Sequence, residues 1–173
     1  MRYKYLSLLL LSYLAFFISP AWGQENAVSE INFRCQSDRN LPLPAAQNKA
    51  GQTENIFVWQ KDILEGKTTD SPQQLCHDVA RRLNEYQDES GDEANSSLFY
   101  LSAQQYNGIP IICVGFDMLC SRVLFTLKRD SEDAKIGDRV LDNIVAPNIK
   151  KNKFKNIKDF NFIGYKIDFS KRF

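Results

Sequence analysis

The chain has 173 residues, 43% of them hydrophobic and 25% charged, with 22 Lys+Arg against 21 Asp+Glu and one histidine. That near-neutral balance excludes a general nucleic-acid binder, which needs a basic surplus to meet phosphates, and the length admits one domain with a substantial core. Four cysteines with no Cys-x-x-Cys spacing, beside a single histidine, disfavour a thioredoxin-like redox pair and a structural zinc site.

Arg2 and Lys4 precede an uncharged apolar run from Tyr5 to Ile18. Pro20 breaks the run, and Ala21-Trp22-Gly23 puts small residues at the two positions a signal peptidase reads. The pattern predicts a signal peptide over residues 1–23, cleaved before Gln24. The other reading, an uncleaved anchor helix, needs about 20 apolar residues, more than this run supplies. No cysteine follows directly to carry a lipid. The expected organisation is a signal peptide (1–23), a single globular domain (24–149) and a basic aromatic tail (150–173). The expected location is extracytoplasmic: periplasm, lumen or secreted. In such an oxidising space Cys35, Cys76, Cys113 and Cys120 read as a disulfide framework.

Gln24 to Ser29 is polar. Ile31 to Cys35 alternates apolar and polar residues, the pattern of a first strand. Asp38 to Thr53, rich in Asn, Pro, Gln and Gly, reads as loop. Asn55 to Gln60 (NIFVWQ) reads as a short strand carrying Trp59, and Lys61 to Asp70 as a charged connection. Ser71 can cap a helix whose first position suits Pro72, with Gln74 placed to complete a capping box. Cys76, Val79, Ala80 and Leu83 then form one apolar stripe, so Cys76 faces the core. The helix is expected to end near Gln87, before an acidic loop from Asp88 to Ser97.

Leu98 to Ala103 reads as a strand, Tyr106-Asn107-Gly108 as a hairpin turn, and Ile109 to Phe116 as a central strand apolar on both faces. A turn at Asp117 to Leu119 leads to a strand from Cys120 to Leu127. Ser131 to Val145 has helical spacing, and the chain breaks at Pro147. In the tail, Ile163, Tyr165, Ile167 and Phe169 alternate with Gly164, Lys166, Asp168 and Ser170, a final strand with one wet face. The expected fold is α+β: an antiparallel sheet of four to six strands, with one or two helices packed on it, stapled by disulfides. Four cysteines allow three connectivities. The layout favours Cys113–Cys120, across antiparallel neighbours whose Cα atoms lie about 4.5–5.5 Å apart, with Cys35–Cys76 tying the first strand to the helix. Sheet packing could also let Cys113 reach either of the other two elements.

Phe33-x-Cys35-Gln36, Trp59, and Ser71-Pro72-x-x-x-Cys76-x-x-Val79-x-x-Arg82 are followed by Leu101, Asn107-Gly108, Ile112-Cys113 and Cys120-x-x-x-Leu124-x-Thr126-Leu127. In this order the residues resemble the cyanobacterial circadian oscillating protein domain family. The resemblance covers Ile31 to Ile144 and leaves the basic tail outside. Leu75 stands where the family commonly has Arg, and Ala80 where it commonly has Ser. The resemblance implies cyanobacterial origin, export or membrane association, and no established biochemical activity. It names no catalytic residue to carry over.

No chemical constellation stands out. His77 adjoins Cys76, but neighbours on a helix point about 100° apart and do not meet. Arg81 and Arg82 diverge for the same reason, with Asp78 and Glu85 at pairing distance, which predicts a solvated, salt-bridged face. No glycine-rich phosphate loop occurs. Residues 150–173 carry eight Lys/Arg against Asp159 and Asp168, while residues 24–149 carry 12 basic and 19 acidic residues. Either the tail docks on the acidic body, or Lys150, Lys151, Lys153, Lys155 and Lys158 meet an anionic membrane surface. Its alternating aromatics, ending in Phe173, resemble the last strand of an outer-membrane barrel, yet a barrel needs about eight such strands. The expected function is a non-catalytic extracytoplasmic domain with a binding or structural role and no cofactor. The alternatives are a peripheral membrane protein held by its tail and an enzyme of unknown reaction.

Overall fold

The computed structural model describes residues 31–38, 41–59, 67–90, 98–116, 119–129, 135–155, 163–169 and 172. The expected signal segment, the polar stretch after it, and Asp117 and Met118 of the expected turn lie outside them, as do most of the charged connection (residues 60–66) and of the acidic loop (residues 91–97).

Among the described residues, two antiparallel sheets and three helices make an α+β fold. The smaller sheet has the order β1-β2-β3, from β1 (Asn32–Asp38), β2 (Leu41–Gln47) and β3 (Thr53–Asn55). β2 lies where composition reads as loop. Its two prolines disguise it. Pro44 O accepts the Ile56 N–H at 2.9 Å, so the Pro44 nitrogen faces the β3 side. β3 pairs only with Ala45 to Gln47, so neither Pro42 nor Pro44 is asked for a ladder donor it lacks. The strand expected at NIFVWQ is displaced. β3 stops at Asn55, and Phe57 makes a lone bridge with Val145. Val58 N–H donates to Ile144 O at 2.6 Å and Ala146 N–H to Ile56 O at 3.0 Å. Phe57 and Trp59 are buried and stack, with centroids 5.3 Å apart.

Helix α1 (Pro72–Ser90) starts as its cap signal requires, with Gln74 N–H donating to Ser71 Oγ at 3.2 Å. The capping box is not completed, because the Gln74 side chain turns forward to Asp78 at 2.9 Å. The helix runs three residues past Gln87: Tyr86 is buried against Phe99 and Phe116, and Ser90 Oγ–H donates to Tyr86 O. Tertiary packing here outweighs an acidic, weakly helical sequence.

The larger sheet has the order β6-β5-β4-β8-β7. β4 (Leu98–Tyr106) and β5 (Ile109–Gly115) form the hairpin across Asn107 and Gly108, both at positive φ (51° and 72°). β5 is an inner strand buried on both faces, and β6 (Arg122–Thr126) pairs beside it. The β5–β6 register shifts between Ile112 and Cys113: Ile112 faces Phe125 and Cys113 faces Val123, which leaves Leu124 as the extra residue of a bulge.

Helix α2 (Ile136–Ile144) is shorter than the span read from spacing, and residues 130–134 lie outside the described set. It packs on β4, β5 and β8. The approach is close at Gly137, where a Cβ would sit 3.4 Å from that of Ala103. Pro147 does not simply break the chain. It occupies the first position of a short helix α3 (Pro147–Lys150). Strands β7 (Lys153–Lys155) and β8 (Ile163–Asp168) follow. β8 lies between β4 and β7. Its alternation holds, with Tyr165, Ile167 and Phe169 in the core and Lys166 exposed. Phe33 of the small sheet meets Phe99 of the large one and Phe169, just past β8, edge-on, at 5.5 and 5.8 Å, within one continuous core.

Candidate functional site

Polar side chains from distant parts of the chain gather around α1. The helix packs against β1, β2 and β6, and so bridges the two sheets. Cys76, on its buried stripe, is bonded to Cys35 of β1 with Cα atoms 5.5 Å apart. Cys113 and Cys120 are bonded at a Cα distance of 5.2 Å. Among the described residues no cysteine is free.

Around that bond the helix makes polar contacts to both sheets. Asn84 Nδ2 donates to Phe33 O at 2.8 Å, and Asn84 Oδ1 accepts Phe33 N–H at 2.8 Å. A carboxamide carries one donor and one acceptor in a peptide-like arrangement, so Asn84 pairs with β1 as a residue of a neighbouring strand would. Arg82 is not part of a solvated face. Its Nη1 donates to Val123 O at 3.0 Å and Leu124 O at 3.1 Å, the two carbonyls at the β6 bulge. β6 is an edge strand, and edge carbonyls left open invite pairing with other chains.

Arg81 does take the solvated role, pairing with Asp78 at 3.3 Å and Glu85 at 2.6 Å. The hydrogen bond from Gln74 leads in drawing the Asp78 carboxyl below its ordinary range, against partial burial, with Arg81 assisting. Arg122 of β6 reaches back to Glu85 at 2.6 Å and to Glu89, extending the network along the helix. His77 is exposed on α1, and Cys76 beside it is engaged in its disulfide.

A second cluster joins α2 to the C-terminal strands. Asp142 Oδ1 accepts Lys153 Nζ at 2.5 Å and the Tyr165 hydroxyl. One turn earlier, Asp138 Oδ1 accepts the Ile163 N–H at 3.2 Å. Burial works to raise the Asp142 carboxyl, but the bonds from Lys153 and Tyr165 outweigh it and the net direction is down. Burial prevails at Asp138, whose carboxyl is raised. Desolvation first, and the bond to Asp142 second, hold the Tyr165 phenol protonated far above its ordinary value. Arg172 pairs with Glu54 of β3.

The tail is thus docked on the body through Lys153 and Arg172. Lys150 and Lys151 are exposed, the side chain of Lys155 and all of Lys158 fall outside the described residues, and Lys166 lies 5.9 Å from the Tyr100 ring centroid. Among the described residues no group of three or more His, Cys, Asp or Glu is placed to hold a metal, and no helix is long and apolar enough to cross a membrane.

The motif residues Phe33, Cys35, Cys76, Val79 and Arg82 therefore converge on one structural clasp. A family model described as circadian oscillating protein COP23 matches residues 32–172. The chain belongs to the COP23 family. The match extends through the tail, where the motifs alone reached only Ile144. The COP23 pattern accordingly spans β7 and β8 as well as the clasp. No curated protein and no solved structure matches the chain.

Asn84, Arg122, Glu54, Asp142 and Tyr165 carry these clusters, and none of the first four stands out in the sequence pattern. Tyr165 was visible as part of the alternating tail. Asn84 has no local signal, because its partner lies 51 residues away.

Proposed function

We propose that this COP23-family chain is an exported, non-catalytic domain with a binding or structural role outside the cytoplasm. The observation that carries the reading is where its polar chemistry goes. Arg82, Asn84, Arg122, Asp142 and Arg172 each spend their hydrogen bonds on joining one element of the fold to another. Two disulfides support an oxidising compartment, and the Arg2-to-Gly23 pattern supports a cleaved signal that leads there.

A second reading adds peripheral contact with an anionic surface, favoured by the exposure of Lys150 and Lys151. Cell fractionation with a salt wash, followed by N-terminal sequencing, tests both. Recovery outside the cytoplasm, starting at or near Gln24, is the expected result. Release from membranes by salt would add the peripheral contact. A cytoplasmic chain beginning at Met1 with reduced cysteines would overturn export. A turnover that depends on a named side chain would overturn the non-catalytic role.

A further inference from the structure

The tip of the β4–β5 hairpin is the Asn107–Gly108 peptide. Asn107 and Gly108 are both exposed, and Tyr106 and Ile109 face each other across them. Arg129, just beyond β6, reaches over this tip. Its Nη2 donates to Asn107 O at 2.6 Å and its Nε to Gly108 O at 3.0 Å. The guanidinium lies so close that a Cβ on residue 108 would come within 2.5 Å of it. Asn107 O and the Gly108 N–H belong to the same peptide unit. A cation bonded to that oxygen stabilises the negative charge that appears there when the N–H is deprotonated. The nitrogen so activated is one ring closure away from the Asn107 carboxamide carbon, and residue 108 has no side chain to obstruct the attack.

We propose that Asn107-Gly108 is a site of spontaneous succinimide formation and deamidation, promoted by Arg129. The Gly108 N–H gives its proton to solvent. The nitrogen then bonds to Asn107 Cγ as the Cγ–Nδ2 bond breaks, and Nδ2 leaves as ammonia with protons drawn from solvent. Water opens the resulting imide at either C–N bond. Opening at Cγ gives aspartate; opening at the main-chain carbonyl gives isoaspartate, with the backbone now running through the former side chain. No oxidant, reductant or enzyme is needed. Either product places a carboxylate beside Arg129, and isoaspartate also lengthens the backbone of a two-residue turn.

Purified full chain aged at mildly alkaline pH, with peptide mapping at intervals, tests the site. Conversion at residue 107 should outpace that at every other asparagine, visible as the mass change of NH2 to OH and as resolved aspartyl and isoaspartyl peptides. Asn107 persisting while other asparagines convert would overturn the proposal. Arg129→Leu tests the promoter and should slow conversion at residue 107 by roughly three- to tenfold, the worth of a charge-assisted hydrogen bond discounted for exposure. Arg129→Lys, which keeps the cation, should recover much of the rate. A role confined to holding the turn predicts the reverse order, because loosening the tip frees the attack. An unchanged or faster rate in Arg129→Leu would therefore refute promotion by Arg129. Near-ultraviolet dichroism matching that of the parent chain shows that each variant keeps the fold.

Discussion

Arg82 and Asn84 stand two positions apart on α1, so their side chains leave the helix about 200° apart, and each is bonded to the backbone of a different sheet. Asn84 satisfies both backbone groups of Phe33, and Arg82 satisfies the Val123 and Leu124 carbonyls. One helix thereby holds the two sheets by their main chains, where side-chain packing alone would tolerate sliding.

Replacing Asn84 with Leu keeps the size and removes both bonds. The expected loss is about 1–3 kcal/mol, the cost of leaving buried backbone groups without partners. Arg82→Met should cost a similar amount. Urea unfolding measures each, and a change below about 0.5 kcal/mol in both would show the contacts to be incidental.

The two disulfides should differ in worth. On the chain-entropy model, the Cys35–Cys76 separation of 41 residues is worth about 4 kcal/mol and the Cys113–Cys120 separation of 7 about 2.4 kcal/mol. The Cys35→Ala/Cys76→Ala double variant should therefore have the lower denaturant midpoint of the two double variants. The opposite order would mean that local packing around each bond, and not loop closure, sets its contribution.

Acid should act on the Asp142 cluster. Its carboxyl is held below the ordinary value when folded, so folding gains stability that is fully present above the unfolded carboxylate range and lost as pH falls through the folded value. Asp138, raised by burial, acts in the opposite sense and regains stability on protonation, which blunts the slope. Asp142→Asn should flatten the fall in melting temperature between neutral pH and about pH 3. A slope identical to that of the parent would remove Asp142 from the account.

Truncation after Ile149 should prevent folding. It deletes β7 and β8 and takes Tyr165, Ile167 and Phe169 out of the core. Losses of about 3–5 kcal/mol for each aromatic removed would exhaust a stability of about 5–15 kcal/mol. A truncated chain with native near-ultraviolet dichroism would contradict this.

Much of the layout is legible in local pattern. The Ser71 cap, the stripe through Cys76 and Leu83, the Asn107-Gly108 turn and the alternating tail all carry their structure within a few residues. The larger misreadings come from distance in sequence. Pro42 and Pro44 suggest loop until it is seen that β3 stops short of them. NIFVWQ is β-like, but its pairing partner is Val145, beyond the reach of any local pattern. Arg82 reads as a surface charge because Asp78 and Glu85 lie at helical spacing, whereas its acceptors are 41 and 42 residues away. Apart from the Arg81 pairs with Asp78 and Glu85, which spacing does show, both clusters are built from contacts between separate elements and are not assembled from spacing.

The position of β8 bears on the order in which the molecule can be made. β4 pairs with β5 a few residues after its own synthesis, but its other edge waits for β8, near the end of the chain. A nascent chain emerging N-terminus first therefore carries a long strand with one side open, a template for the wrong neighbour, until β8 arrives. Closing that gap is a long-range event, slow by loop-closure entropy, and it completes the core in the same step. Within the larger sheet, the β4–β8 seam joins residues farther apart in sequence than any other of its pairings.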